Sequence, residues 1–344
     1  MKKFAELTFL GLFILPIISY GCKEVNSEEP PVFQINGDQI IADHTVVDRF
    51  DDIPQEYINK VKTMLVAFIG ESHSAAYRVG MELLEEDYPE YACNVSKGEG
   101  YTDQYVRVDN YGWIGEDTWF TWFAYDESSR PYPAGWSIKD AIERYSDAGH
   151  PFSAVGFGWC ADMVLGGENT SEGTDPVYKV HWFGASYGGP EGNRPWGLDA
   201  DDYAITGNSV NLNSYFGAME EYITHCASES PITRIIFTTG PVDREGWWSG
   251  ENAYQGHVKH ETIRAYVRQD STRILFDYAD ILCYDNNGNL TTKEWNGYTF
   301  PSIAPINELP RAVGHISEAG AIRLAKAQWW MLARLAGWDG ETAD

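Results

Sequence analysis

Apolar and polar residues change period sharply between Thr63 and Tyr77. Met64 to Ile69 is apolar, broken only by the small Ala67, as in a buried strand. Gly70 ends the run, and from Ala75 the residues Ala76, Val79, Leu83 and Leu84 fall at helical spacing. Ser72 therefore sits on a tight strand-to-helix turn. Three further apolar runs predict buried strands: Phe152 to Gly158, Thr233 to Gly240 and Arg273 to Ile281. Tyr101 to Asp109 alternates like a strand. Helices are expected from about Pro54 to Lys62, from Ser137 to Ser146, from Asn211 to Cys226 and from His257 to Arg268. A last long helix follows, with Ser317 as its N-cap and Gly337 as its C-cap. Asn36-Gly37 suggests a hairpin, and Asp285-Asn-Asn-Gly-Asn289 reads as a hairpin turn.

This order of strands and helices predicts an α/β fold, a three-layer α/β/α sandwich on a mainly parallel, flavodoxin-like sheet. No internal repeat is visible. One domain is expected over residues 33–338, with a long loop at about 164–208 that holds nine glycines. Loops of that length inside a compact domain are usually functional. A second Gly-rich stretch, Gly112 to Thr118, follows the Tyr101–Asp109 strand and would let backbone approach a ligand closely.

Ahead of the domain, Met-Lys-Lys and the apolar core Leu7 to Ile18 have the form of an export signal over residues 1–22. The Gly21-Cys22 at its end resembles a bacterial lipoprotein signal, in which Cys22 carries the lipid. Residues 23–32 read as a polar tether. The expected location is the periplasm or cell surface, otherwise outside the cell, with the membrane met only through that lipid.

The chain has 344 residues, 51 acids against 25 bases, and a net charge of −26. Nucleic acid and anionic membrane surfaces would repel it, while a neutral carbohydrate would not. Cys93, Cys160, Cys226 and Cys283 match no zinc spacing, so the expectation is one disulfide or none. Among the eight histidines, His257-x-x-His260 is the only pair with ligand-like spacing, and it reads as a surface pair on one helix face. His73 and His181 are weaker metal candidates.

A serine at a helix start is ordinarily an N-cap. It becomes a nucleophile only with an imidazole to take its proton and N–H groups to hold an oxyanion. Here the residues resemble the SGNH (GDSL-type) hydrolases. Gly70-Glu71-Ser72 stands for their Gly-Asp-Ser, Gly112-Trp-Ile-Gly115-Glu-Asp-Thr118 for their second block, Gly158-Trp-Cys-Ala-Asp162 for Gly-x-Asn-Asp, and Ala312-Val-Gly-His315 for Asp-x-x-His. The blocks occur in family order across residues 63–338. Two departures stand out: Cys160 or Ala161 falls where the oxyanion asparagine belongs, and Ala312 where the aspartate belongs.

The resemblance implies ester hydrolysis through an acyl-serine. Ser72 would attack, His315 would act as base and then acid, and the N–H groups of Ser72 and Gly115 would form the oxyanion hole, with no metal or cofactor. Asp162 or Asp243, each just past a buried strand, could replace the missing carboxylate. Trp182, Tyr187 and Trp196 in the long loop, with Trp159, would offer faces for sugar, which suggests O-acyl (acetyl) groups on carbohydrate. The competing expectation is a non-catalytic glycan-binding lipoprotein on a degenerate SGNH scaffold.

Overall fold

The computed structural model describes residues 37–70, 72–96, 100–110, 121–125, 137–165, 175, 177–179, 211–244, 246 and 248–341. Seven strands form one sheet: β1 (Ile41–Ala42), β2 (Leu65–Gly70), β3 (Cys93–Ser96), β4 (Val106–Asp109), β5 (Ala154–Gly158), β6 (Arg234–Thr238) and β7 (Ile274–Phe276). Their order is β1-β7-β6-β5-β2-β4-β3, and every neighbouring pair is parallel. The central five, β4-β2-β5-β6-β7, reproduce the flavodoxin order, with β1 and β3 added as short edges. A parallel sheet must be covered on both faces, and the helices here do that.

Along β2 alternate residues enter different cores. Val66 and Phe68 pack with α1 (Gln55–Val61), α2 (Ala75–Asp87) and the last helix; Leu65, Ala67 and Ile69 pack with α3 (Ile138–Asp147), α4 (Ala161–Leu165), α5 (Leu212–Glu229) and α6 (Gly250–Arg268). The helix starts are fixed chemically. Ser137 and Asp140 form a reciprocal capping box on α3, and Asn211 and Ser214 form another on α5. Two short helices follow β7, α7 (Tyr278–Cys283) and α8 (Pro305–Glu308), before α9 (Glu318–Leu335) closes the chain. Ser317 Oγ accepts from the Gly320 N–H to cap α9, and Gly337 takes φ 99° just beyond its end.

Several expectations need correction. Asn36 and the first arm of the expected hairpin lie outside the described residues; beyond Gly37 the chain enters β1, which pairs in parallel with β7. The fourth strand ends at Phe276, because the Asp277 carboxylate accepts from the Asp280 N–H and starts α7 there. Strand β3 and the antiparallel hairpin β8 (Thr292–Trp295) and β9 (Tyr298–Pro301) were not read from the sequence. Within the expectation of one disulfide or none, Cys93, Cys160, Cys226 and Cys283 are free thiols.

A buried ion pair locks the carboxyl ends of β6 and β7. Arg264 Nε and Nη2 donate to Asp277 at 2.6 and 2.8 Å, and Thr239 Oγ1 donates to the same carboxylate at 2.8 Å. At the opposite, amino ends of β1, β6 and β7 lies a cavity of about 800 Å³ bordered by Gln39, Cys226, Arg234 and Arg273. No helix among the described residues is long and apolar enough to cross a membrane.

Candidate active site

In the flavodoxin order the chain turns to opposite sides after β2 and β5, and a crevice opens between their carboxyl ends. Here β2 and β5 end level with each other, Gly70 opposite Gly158. A Cβ on Gly70 would stand 1.9 Å from the Gly158 carbonyl oxygen, and one on Gly158 would stand 2.3 Å from Ser74 Cβ. Only glycine at both positions lets the turn Ser72–Ser74 settle onto the end of β5. That places Ser72 Oγ 3.7 Å from Cys160 Sγ, across the crevice.

His315 arrives from the other end of the chain. Val313 and Ile316 exchange backbone hydrogen bonds of 3.1 and 2.9 Å, closing a two-residue turn with φ 50° at Gly314 and 66° at His315. Positive φ at both central residues marks a type I′ turn. It is uncommon for a residue other than glycine, and such backbone outliers gather at functional sites. Gly314 lies directly on the serine turn: its Cβ would be 3.1 Å from both the Ser72 carbonyl oxygen and the Ala76 nitrogen. The loops of Ser72 and His315 therefore share one lip of the sheet.

Between them stands His73. It is 3% exposed, its Nδ1 is 3.4 Å from Ser72 Oγ, and its ring centroid is 4.9 Å from that of the exposed His315. Among the described residues no hydrogen bond joins Ser72 directly to the His315 ring. Burial, then the charges of His315 and Arg244, hold the His73 imidazole well below its ordinary range. Burial, then Arg244 and Arg311, lower His315 as well. Both rings are thus neutral near pH 7 and able to accept a proton.

The two carboxylates expected behind His315 behave differently. Asp243 is 2% exposed and ion-paired with Lys293 on β8, while its Oδ1 has no hydrogen-bond partner. Burial raises its carboxyl against the pull of Lys293. Asp162 falls in α4, with its side chain outside what is described. Gly115, Trp182, Tyr187, Trp196, His181 and Cys22 also lie outside the described residues.

Trp159 corrects an expectation. It is a core residue, 2% exposed, with its Nε1–H donated to the Thr238 carbonyl at 2.9 Å and Tyr215 at 4.6 Å between centroids. It presents no face to a sugar. The pair His257 and His260 is not a surface pair either: His260 is 3% exposed on the inner side of α6. On that inner side Lys259 donates to the Val164 carbonyl and Arg264 to Asp277, while His260 Nε2 has no hydrogen-bond partner among the described residues. Among the described residues, one group offers three close metal-type ligands: Asp43, His44 and Asp280. These are committed to each other and to their own backbone, with His44 Nδ1 2.5 Å from Asp280 Oδ2 and Asp43 Oδ1 capping Thr45.

His73 was read only as a weak metal candidate and Cys160 only as a departure from the family block, and Arg244 was missed. For His73 the signal was present, since it follows Ser72 on the same turn. Arg244 could be placed only by the fold.

No protein-family model matches the chain, and no curated protein does. Among solved structures, a candidate acylhydrolase from Bacteroides fragilis NCTC 9343 is similar at 11% identity and a TM-score of 0.31, covering 74% of this chain and 86% of that one. A candidate platelet activating factor protein from Streptococcus pneumoniae gives 12% and 0.31, over 82% and 92%. The periplasmic domain of a lipopolysaccharide acetyltransferase from Salmonella ser. Paratyphi A gives 13% and 0.33, over 82% and 93%. Likeness at this level concerns layout and carries no inference about chemistry.

Proposed function

We propose that the protein is a serine ester hydrolase that works at the carboxyl ends of β2 and β5. The observation that carries this reading is a half-buried hydroxyl, Ser72, at the switch point of a parallel sheet, with two neutral imidazoles at the same lip. A hydroxyl needs such an acceptor to attack an ester carbonyl. In this reading Ser72 Oγ adds to the carbonyl carbon and the imidazoles take its proton. The Ser72 N–H supports the oxyanion, with Gly115 as its proposed second donor. The alcohol leaves with a proton, and water then releases the acid and restores Ser72.

As substrate we propose an O-acylated carbohydrate. A neutral glycan suits a chain of charge −26, and the aromatic residues of the 164–208 loop are the proposed platform. Wild type should hydrolyse p-nitrophenyl acetate and release acetate from acetylated glycans. Ser72→Ala should lower both by at least roughly a thousandfold, as loss of a nucleophile does. Glycan binding that survives Ser72→Ala and His315→Ala, without turnover in wild type, would instead make the protein a binder.

A further inference from the structure

We infer that His73 is a catalytic residue, the base that receives the Ser72 proton at Nδ1, and that His315 is a positioning residue whose ring backs the His73 ring. The inference rests on the serine-hydrolase reading above.

Three observations lead to it. His73 Nδ1 is 3.4 Å from the Ser72 oxygen, whereas no hydrogen bond reaches the hydroxyl from the His315 ring. Catalytic hydrogen bonds in ligand-free sites are often this long and tighten with substrate. Next, among the described residues no carboxylate is hydrogen-bonded to His315, Asp243 being ion-paired with Lys293, and His315 itself is exposed on a two-residue turn. His73, in contrast, is enclosed by the fold. It is buried at the root of α2, and its ring meets the His315 ring at 4.9 Å and 38°. Finally, burial, then the charges of His315 and Arg244, keep the His73 ring unprotonated at rest, the state in which it can accept a proton.

The proton balance closes with water as the only co-reactant. The Ser72 O–H proton moves to His73 Nδ1 as Oγ bonds to the acyl carbon. The imidazolium then gives a proton to the departing alkoxide, which leaves as the alcohol. In the second half, water loses a proton to the same Nδ1 as it attacks the acyl-serine, and that proton returns to Ser72 Oγ as the acid departs. The His315 ring meets the His73 ring at the solvent boundary, so it can hold that ring in place while every proton of the cycle passes through His73 and Ser72.

The experiment measures kcat/KM for p-nitrophenyl acetate from pH 4 to 9 in wild type, His315→Gln, His73→Gln and Ser72→Ala. In the expected result His315→Gln loses roughly tenfold yet keeps the acid limb of the wild-type profile, which lies below the ordinary imidazole range. His73→Gln should lose at least about 100-fold, the lower bound for general-base catalysis, and its rate should follow hydroxide with no limb. If His315→Gln abolishes turnover or flattens the limb, the inference is overturned, whether or not His73→Gln folds. If His73→Gln folds and retains the limb, it is overturned also. Activity that survives Ser72→Ala defeats the hydrolase reading itself, and the inference with it.

Discussion

Replacing Gly314 by alanine tests whether the His315 turn really rests on the serine turn. Two costs apply. Alanine at φ 50° meets the left-handed penalty of about 1–2 kcal/mol, partly offset by about 0.4–1 kcal/mol from a stiffer unfolded chain. The added methyl would also stand 3.1 Å from the Ser72 oxygen and the Ala76 nitrogen and 3.3 Å from the His73 oxygen. All three are backbone atoms that must move by a few tenths of an ångström. Overpacking of this kind costs about 1–3 kcal/mol. Gly288 is the control, because it has φ 75° with nothing within 4 Å of a Cβ, so it carries the conformational penalty alone. Urea unfolding should place Gly314→Ala at about 2–4 kcal/mol below wild type and at least about 1 kcal/mol below Gly288→Ala. Turnover should respond as well. A misplacement of 1 Å costs about a hundredfold, so a shift of a few tenths should cost roughly threefold to tenfold in kcat, with Gly288→Ala at the wild-type value. Equal stability and equal turnover for the two variants would mean that the turn does not bear on Ser72.

Two further predictions concern the frame around the site. Arg264→Ala strands the 3% exposed Asp277 carboxylate with Thr239 as its remaining side-chain donor; chemical denaturation should show a loss of about 3–5 kcal/mol, and a loss under 1 kcal/mol would deny that the pair is buried. Acid should also weaken the fold. His73 and His260 are buried with pKa values well below the ordinary imidazole value, so the unfolded chain binds protons that the folded chain refuses. Stability should therefore drop as pH falls below about 6.5, by about 1.4 kcal/mol per pH unit for each group. Comparing urea midpoints at pH 7 and pH 5 checks this, and an unchanged acid slope in His260→Gln would remove that residue from the account.

The architecture was legible because its signals are local. Unbroken apolar runs such as Leu65–Ile69 can be buried only on two faces, and Ser137, Asn211 and Ser317 announce their helices by cap chemistry. Strand β3 escaped notice because Cys93–Ser96 is half-buried at a sheet edge and carries little apolar signal. The hairpin β8–β9 escaped because its residues are mostly exposed and packed on α6. At the site, Ser72 stood out through its strand-to-helix turn, and His315 through the resemblance of Ala312-Val-Gly-His315 to a family block. The pair His257 and His260 looked like surface because a sequence shows the polarity of a residue and not its burial. Trp159 misled for the complementary reason, since an aromatic after a strand can face solvent or core alike.

The hollow of about 800 Å³ lies at the amino ends of β1, β6 and β7, whereas Ser72 lies at the carboxyl end of β2. A strand of five residues spans roughly 16 Å, so a compound lodged in the hollow would leave the hydroxyl untouched. Screening one compound library by melting temperature and again by inhibition would then select two separate sets of hits.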